Sequence, residues 1–588
     1  MKSKPGMRIL KVSRFDNCQN LLTCGLNLSG ANNKTIERLF DIEVIWKEPK
    51  IKKNFKELYT DAISKAFFVL FSSKLSFLNP LSVIFSHLTF SKITVADNLP
   101  SRIWQYQVVC NFIDSYSDKF PLVIIIEDNE LYDIINKSYS HIINGKRGLS
   151  FNNFYKFFYF FYGIAAIFNG FFKVLIKNLY LRICGIGKVS LSDNITLYQT
   201  IVPSNIFKRR NPYDDYYFGQ YWKSQSHSKA FLLSKDLDCS IKKIKLMEEL
   251  TNRKYISIAA NLSSFDIFNS LIQSLKVILN PLKIKEYDEV DSIINLNLKE
   301  ESRTSMIFYN LCDFASIKQI LLPVIENQFS IKMFMPFEGK IIEKMIFLNK
   351  LDKMRLYGYM HFPLSERHIS MEYSSIEKVI IPKSFKMLTI GRNNYQILKN
   401  NGWSKNIISI VGSLKKSSIA DNDSLKLNND NKLKLLVVLA MDDEPNNNLL
   451  SIAKDVLLQN QLKFQIIIRP HPSLPIARLK ELISSYPLCI FDVKSSLDTH
   501  LSWTDILVYG ESSVSVDSLD YNLARIYIKD CNYLDSNRIA LSEGNFSSVI
   551  NSDELQNLLE SVTSNLEAFS SKSDTYNYYD ELNLSEIQ

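Results

Sequence analysis

Short, nearly continuous apolar runs recur along this chain, and stretches with helical spacing separate them. The clearest series fills the last third. Runs at 385–390, 407–411, 433–440, 463–468, 488–492, 505–509 and 525–528 read as strands. Segments 393–401, 446–460, 474–485, 495–502 and 513–522 read as helices. Apolar runs without polar alternation suit strands buried on both faces, as parallel strands are. Strict strand–helix alternation at this spacing predicts a doubly wound parallel sheet. The Asn-, Ser- and Lys-rich stretch 415–432 reads as a loop or linker.

The middle third repeats the theme with a longer period. Strands are expected at 122–127, 194–200, 256–260, 305–310 and 331–335, with a helix from about 129. A crossover near 372–384 and a fresh strand at 385 place a domain boundary there. The expected division is therefore an α/β N-terminal region (1–190), a Rossmann-like domain (191–384) completed by part of 1–190, a second Rossmann-like domain (385–565) and a tail (566–588). The tail is rich in Ser, Asp and Tyr, a composition that favours partial disorder.

Residues 154–181, FYKFFYFFYGIAAIFNGFFKVLIKNLYL, form the most apolar segment, interrupted by Lys156, Asn169, Lys173 and Lys177. Its unbroken part is shorter than the roughly 20 residues a spanning helix needs. It reads as a buried core helix with snorkelling lysines, as an aromatic helix lying in a membrane interface, or as a spanning helix. The apolar segment 65–94, broken by Lys74 and Pro80, is of the same kind.

At 588 residues, 46% hydrophobic and 22% charged, the chain has the length and composition of a folded protein of several domains. Its net charge of +9 is mild at this length. That suits an anionic substrate or lipid surface, and no nucleic-acid motif is present. The eight cysteines form no C-x-x-C pair and only seven histidines occur, so no structural metal is expected. Residues 1–20 lack the apolar core of a signal peptide, which points to a cytoplasmic compartment.

Candidate chemistry lies at strand carboxyl ends, where open α/β sheets bind ligands. Arg469-Pro470-His471-Pro472 closes the run at 463–468. Its prolines stiffen the turn, and guanidinium with imidazole suits a phosphate. Glu511-Ser512-Ser513 closes the run at 505–509 where a helix begins. Hydroxyls and helix-start N–H groups form an anion site, and Ser513 is also a natural N-cap. Gly412-Ser413 follows 407–411, where a glycine admits close backbone approach, and Arg392 follows 385–390. Asp517 lies one turn into the helix that Ser513 begins, as readily structural as functional.

Pro336-Phe337-Glu338-Gly339 follows 331–335. Glu338 there suits a general base on a sugar hydroxyl, or is a surface acid. Glu343 falls in the next helix's first turn, where the dipole favours a carboxylate in any case. His361 ends the strand Tyr357-Gly358-Tyr359-Met360, as a functional group or a satisfied core histidine. The acidic, aromatic segment from Tyr213 to Gly219 could stack on sugars or form a tyrosine-rich loop. Asp442-Asp443 reads as the start of a loop and implies no metal.

The pairing of Arg469-Pro470-His471-Pro472 with Glu511-Ser512-Ser513-Val514, followed by Val516-Asp517, resembles GT-B glycosyltransferases of bacterial surface polysaccharide (capsule and O-antigen) biosynthesis. It is similar to the motifs of sialyl- and polysialyltransferases, β-Kdo transferases and CDP-glycerol glycerophosphotransferases. Pro336 to Gly339 with Glu343, Gly358-Tyr359-Met360-His361, then Gly402 and Val411-Gly412-Ser413 resemble the family known as surface carbohydrate biosynthesis proteins. The resemblance spans about 200–588, and its last third is the specific part. Polysialyltransferases carry an acidic pair before the glycine; here Phe337 occupies one of those positions.

The resemblance implies an α/β GT-B fold, two Rossmann-like doubly wound domains facing a cleft, with the donor in the C-terminal one. It implies a metal-independent glycosyltransferase without cofactor that uses a nucleotide-activated sugar, CMP-linked by analogy. His471, Ser512 and Ser513 would bind the donor phosphate, with Arg469, Glu511, Gly412 and Ser413 beside them. Glu338, Glu343 and His361 would form the catalytic side. The acceptor would be a surface glycan or a lipid-linked one, reached from the inner face of the cytoplasmic membrane through peripheral contact. The rivals are a CDP-glycerol-type glycerophosphotransferase, a nucleotide-sugar 2-epimerase and a non-catalytic assembly protein of the same fold.

Overall fold

The computed structural model describes residues 8–11, 20–24, 60–70, 99–116, 122–126, 129–140, 144–146 and most of 152–571. Within that last span 189–190, 203–214, 216, 220, 225–228, 328, 349–353, 366–367, 415–431, 441–442, 461–462, 472–488, 493–494, 530–536 and 540–545 are not described. The expected helix 474–485, the tail from 572, most of the apolar segment 65–94, and Tyr213, Asp214, Tyr216 and Asp442 lie outside the described residues.

Four N-terminal strands form a small mixed sheet: β1 (Arg8–Lys11), β2 (Asn20–Cys24), β3 (Leu122–Ile126) and β4 (Asn144–Lys146), in the order β1-β3-β2-β4. Arg102 fixes this region to the next domain through a two-pronged bond to Glu300, at 2.8 and 3.0 Å. Lys65 does the same at Asp291, at 2.9 Å.

The first large sheet holds β5 (Ile195–Ile201), β6 (Lys229–Lys235), β7 (Tyr255–Ser257), β8 (Ile331–Pro336), β9 (Met354–Met360), β10 (Phe385–Thr389) and β11 (Ile408–Ile410). All neighbours are parallel, in the order β11-β10-β9-β8-β5-β6-β7. The second holds β12 (Leu433–Val438), β13 (Phe464–Arg469), β14 (Ile490–Phe491), β15 (Ile506–Tyr509), β16 (Leu523–Ile528) and β17 (Ser547–Val549), also parallel, in the order β14-β13-β12-β15-β16-β17. A short antiparallel β18 (Ser570–Ser571) pairs with β16. Renumbered from its own first strand, each sheet runs 3-2-1-4-5-6, and the first adds a seventh strand. That is the doubly wound Rossmann order, with switch points between β5 and β8 and between β12 and β15. The expected fold class, a two-domain α/β chain of GT-B type, is what the strands form.

Two expectations are corrected. The boundary at 385 is wrong: β10 pairs with β9 and β11 with β10, so both belong to the first domain. The chain passes to the second sheet between β11 and β12, across the polar stretch read as a linker. Residues 305–310 are not a strand but open the helix Met306–Asn327. β6 was not anticipated; its apolar centre is only Ala230 to Leu233, framed by Lys229, Ser234 and Lys235.

The apolar segment is one helix, Asn152–Ile183. Its Phe160–Ile183 part is 24 residues long, with mean hydropathy 1.4, sufficient by length and composition to cross a membrane. One side packs on the first domain. Buried Lys177 donates to the carbonyl of Leu237 at 2.5 Å, and buried Asn178 to those of Ala259 and Leu262 at 2.7 and 2.9 Å. At Gly163 a Cβ would stand 2.5 Å from the Arg303 carbonyl oxygen, so only glycine permits that approach. The other side is exposed, with Phe161, Phe172 and Ile176 each more than half open, so the helix is not the buried core element of the first of the three readings.

Candidate functional site

The carboxyl end of β8 lies at the first sheet's switch point. There the chain turns through Phe337-Glu338-Gly339, with Gly339 at φ +80. A Cβ on Gly339 would meet that of Ser370 at 2.6 Å, so the turn is built for glycine. Phe337 anchors it: its ring is buried against Phe347, Phe385 and Trp403, and its N–H donates to the Tyr359 carbonyl at 2.9 Å. Beneath the turn, fully buried Glu343 accepts from the N–H groups of Glu338 and Gly339, both at 2.8 Å. Burial pushes its carboxyl up to about 8 against those two bonds. Glu343, expected on the catalytic side, therefore shapes the loop from below.

Glu338 sits above it, 22% exposed, accepting from Lys340 Nζ at 2.7 Å, with His361 Nε2 standing 4.0 Å away. Burial acts to raise the Glu338 pKa, but Lys340, then His361 and Arg538, outweigh it and hold the carboxylate below its ordinary value. Burial likewise opposes the charge on Lys340, which Glu338 and then Tyr217 more than restore. Tyr217 stands edge-on to His361 with centroids 4.7 Å apart, and Lys340 lies 6.0 Å from its ring. Tyr217 is placed by buried Asp215, which accepts from Thr200 Oγ1 at 2.5 Å and from the N–H groups of Tyr217 and Phe218 at 2.8 and 3.0 Å. Of the acidic, aromatic segment, Asp215 thus holds the turn and Tyr217 faces the cluster. Glu338 and His361 come together as strand-tip neighbours, because β8 and β9 are paired.

The second domain supplies one more member. Arg538 Nη1 donates to the Pro363 carbonyl at 2.7 Å, and its guanidinium lies 5.2 Å from the Phe362 ring centre. The preceding Asn537 accepts from Tyr509 Oη at 3.3 Å, at the tip of β15. The carboxyl edges of the two sheets therefore meet at this contact. Neither Lys340 nor Arg538 was anticipated. Arg538 carries no local signal, since a long polar stretch separates it from the end of β16 at Ile528.

On the second sheet, Arg469 of β13 and Tyr509 of β15 both lie opposite Val438 of β12. His471 and Glu511 each follow by two residues, so the two motifs share the carboxyl edge one strand apart, about 10 Å at ordinary strand spacing. His471, Glu511, Ser512 and Ser513 are all half-buried. Ser513 does not cap the short helix Val514–Asp517; it is itself helical and makes no capping bond. Instead Ser512 Oγ accepts from Val514 N–H at 3.3 Å. Asp517 closes that helix.

Arg469 departs from its expected role. Its Nη1 donates to the Ser495 carbonyl at 2.9 Å and to Nδ1 of buried His500. His500 Nε2 in turn meets Asp492 Oδ2 at 3.1 Å. Since guanidinium only donates, Nδ1 must accept and Nε2–H donates to the carboxylate. Burial first, then Arg469, lower the His500 pKa, in keeping with a neutral ring. Arg469 thus fastens β13 to the start of the helix Leu497–Trp503 and so steadies the turn that carries His471.

Gly412 and Ser413 are also relocated. They follow β11, in the first domain rather than the second. Gly412 adopts φ +81, and the chain folds back so that Leu414 N–H donates to Tyr359 Oη at 2.8 Å, with Ser413 on the same phenol. Arg392 opens the helix Arg392–Asn400 on the same domain.

No family model and no curated protein matches this chain. Among solved structures it is similar to the UDP-GlcNAc 2-epimerase from Neisseria meningitidis bound to UDP-GlcNAc, at 9% identity and TM-score 0.37, over 65% of this chain and 96% of that one. It is similar to the Methanocaldococcus jannaschii UDP-GlcNAc 2-epimerase in complex with UDP-GlcNAc and UDP, at 12% and 0.38, over 65% and 97%. A third is Anabaena HepE in complex with UDP-glucose, at 10% and 0.31, over 45% and 76%. At these identities and TM-scores the likeness decides nothing about activity, and the fold rests on the strand orders above.

Proposed function

We propose that this protein is a nucleotide-sugar-dependent glycosyltransferase acting between its two sheets. One observation carries the reading. Arg538 brings the carboxyl edge of the second sheet onto the Glu338–Lys340–His361 cluster of the first, and so joins a general-base candidate to an edge bearing His471, Ser512 and Ser513.

In this reading the nucleotide phosphates lie along the tips of β13 and β15. His471 and the two serine hydroxyls donate to them, and Arg469 holds the turn. Glu338 receives the proton of an acceptor hydroxyl. The hydroxyl oxygen bonds to the anomeric carbon, the bond from that carbon to the phosphate oxygen breaks, and the nucleotide leaves with the electron pair. A carboxylate of low pKa serves here because the hydroxyl becomes acidic only as its bond to carbon forms. Fixed donors around the departing phosphate supply the electrostatic stabilisation.

The resemblance of the HP and SS motifs favours CMP as leaving group, while the solved structures named above hold UDP or UDP-sugars. Calorimetry with CMP, CDP, UDP and GDP on the wild type and on His471→Ala tests the donor edge. One preferred nucleotide, weakened at least about tenfold by the substitution, is expected for a charge-assisted bond. Glu338→Gln should keep that binding and lose transfer. Equal, weak binding of all four would remove the proposal. Conversion of the donor sugar without any acceptor would replace it with a 2-epimerase.

A further inference from the structure

The exposed side of the helix Asn152–Ile183 continues onto the helix Ser264–Leu279, which packs beside it through Phe171 and Phe268, centroids 5.0 Å apart. Phe161, Phe168, Phe172 and Ile176 on the first helix and Phe268 and Ile272 on the second are between 39% and 63% exposed. Their spacings of four and seven residues are those of one helix face, so each helix turns one apolar stripe outward, and the stripes lie side by side. Isolated exposed apolar residues are ordinary; a contiguous two-helix face of aromatics is not.

Charge indicates what covers it. The helix Asn152–Ile183 contains no acidic residue and four basic ones, Lys156, Lys173, Lys177 and Arg182. Lys173 and Arg182 are exposed, as is Lys276 on the second helix. The one acid of the two helices, Asp266, accepts from the N-cap Ser263. Aromatic and aliphatic bulk among cations is the composition of a helix that lies in a lipid interface. It does not span. Lys177 and Asn178 are buried and bonded to backbone carbonyls of the α/β domain, so the helix's other side is committed to protein.

We infer that these two helices form a monotopic docking face for an anionic lipid surface. The face also has a position relative to the cluster described above. The carbonyls that hold Lys177 and Asn178, those of Leu237, Ala259 and Leu262, lie just past the carboxyl ends of β6 and β7. That is the sheet edge on which Glu338 and His361 stand at β8 and β9. Docking would set this edge near the headgroups and make a lipid-carried acceptor the class that reaches it. The acceptor class rests on the transferase reading; the docking itself does not.

Flotation of the full chain with phosphatidylglycerol-rich vesicles and with pure phosphatidylcholine vesicles tests the inference. The wild type should bind the anionic vesicles and be released in part by salt. Phe172→Glu with Ile176→Glu should reduce binding at least about tenfold, because two charges must enter the interface. Lys173→Glu with Arg182→Glu should remove the preference for anionic lipid. Both pairs are exposed, so the melting temperature should hold. Nucleotide binding by the same variants is read separately and should not change, so loss of one reading leaves the other intact. Failure to bind either vesicle overturns the inference. So does a dimer in solution that Phe172→Glu with Ile176→Glu dissociates, which would make the face a contact between copies of this chain.

Discussion

Arg538 of the second domain donates to the Pro363 carbonyl of the first at 2.7 Å, two residues beyond His361. Its charge also helps to hold Glu338 ionised. One side chain thus joins the sheets and tunes the proposed base. Arg538→Ala removes a charged hydrogen bond, a class worth about 1.5–3 kcal/mol. If that bond organises the reacting edge, kcat for transfer should fall about ten- to a hundredfold while nucleotide affinity stays within about twofold. Steady-state kinetics beside calorimetry separates the two. An equal loss in both would make Arg538 a general packing residue.

Gly339→Ala should be costly out of proportion to one methyl group. The residue sits at φ +80, and the new Cβ would meet that of Ser370 at 2.6 Å. Left-handed strain alone is of order 1–3 kcal/mol. Adding Ser370→Gly relieves the overlap and leaves the dihedral strain, so the double variant should recover part of the loss in thermal denaturation. Full recovery would show that φ carries no penalty there.

The strand tips were legible because their signal is local. A continuous apolar run closed by a charged residue marks the end of a buried parallel strand, and Glu338, His361, His471 and Glu511 all stand at such ends. Which sheet a strand joins is not local. β10 with Gly391 and the helix after it reads like the opening of any strand–helix unit, so the boundary fell before β10 when the passage comes after β11. Aromatics misled at Met306–Leu311, where a run rich in β-formers begins a 22-residue helix. Partners at long range were invisible. Nothing beside Arg469 shows that it pairs with His500, 31 positions on, and nothing beside Arg538 shows that it reaches Pro363 across 175.

His500 should make the second domain acid-sensitive. Burial and Arg469 lower its pKa below the ordinary 6.5. The unfolded chain therefore binds the proton more tightly than the folded one. Its contribution to stability is complete above the unfolded value of 6.5 and is lost as pH falls through the folded pKa. Melting temperatures on acidification from neutral pH should drop across that window. His500→Gln should start lower, since Asp492 and Arg469 lose a partner, and should show a shallower slope there. Parallel curves for the two proteins would exclude a titrating role.

Glu343 should act in the opposite sense. Burial raises its carboxyl from 4.5 to about 8. The folded chain then keeps a proton that the unfolded chain releases. The associated stability is full below 4.5 and declines as pH rises to about 8, above which it is flat. Glu343→Gln removes the titration. It also loses one of the two backbone bonds from Glu338 and Gly339, because an amide nitrogen cannot accept, at a cost of about 1 kcal/mol. The wild type's advantage over the variant should therefore be greatest in acid and shrink steadily toward pH 8 in paired chemical denaturations, a comparison that cancels groups common to both proteins. If the advantage grows with pH instead, Glu343 is ionised in the fold, and its two N–H donors outweigh its burial.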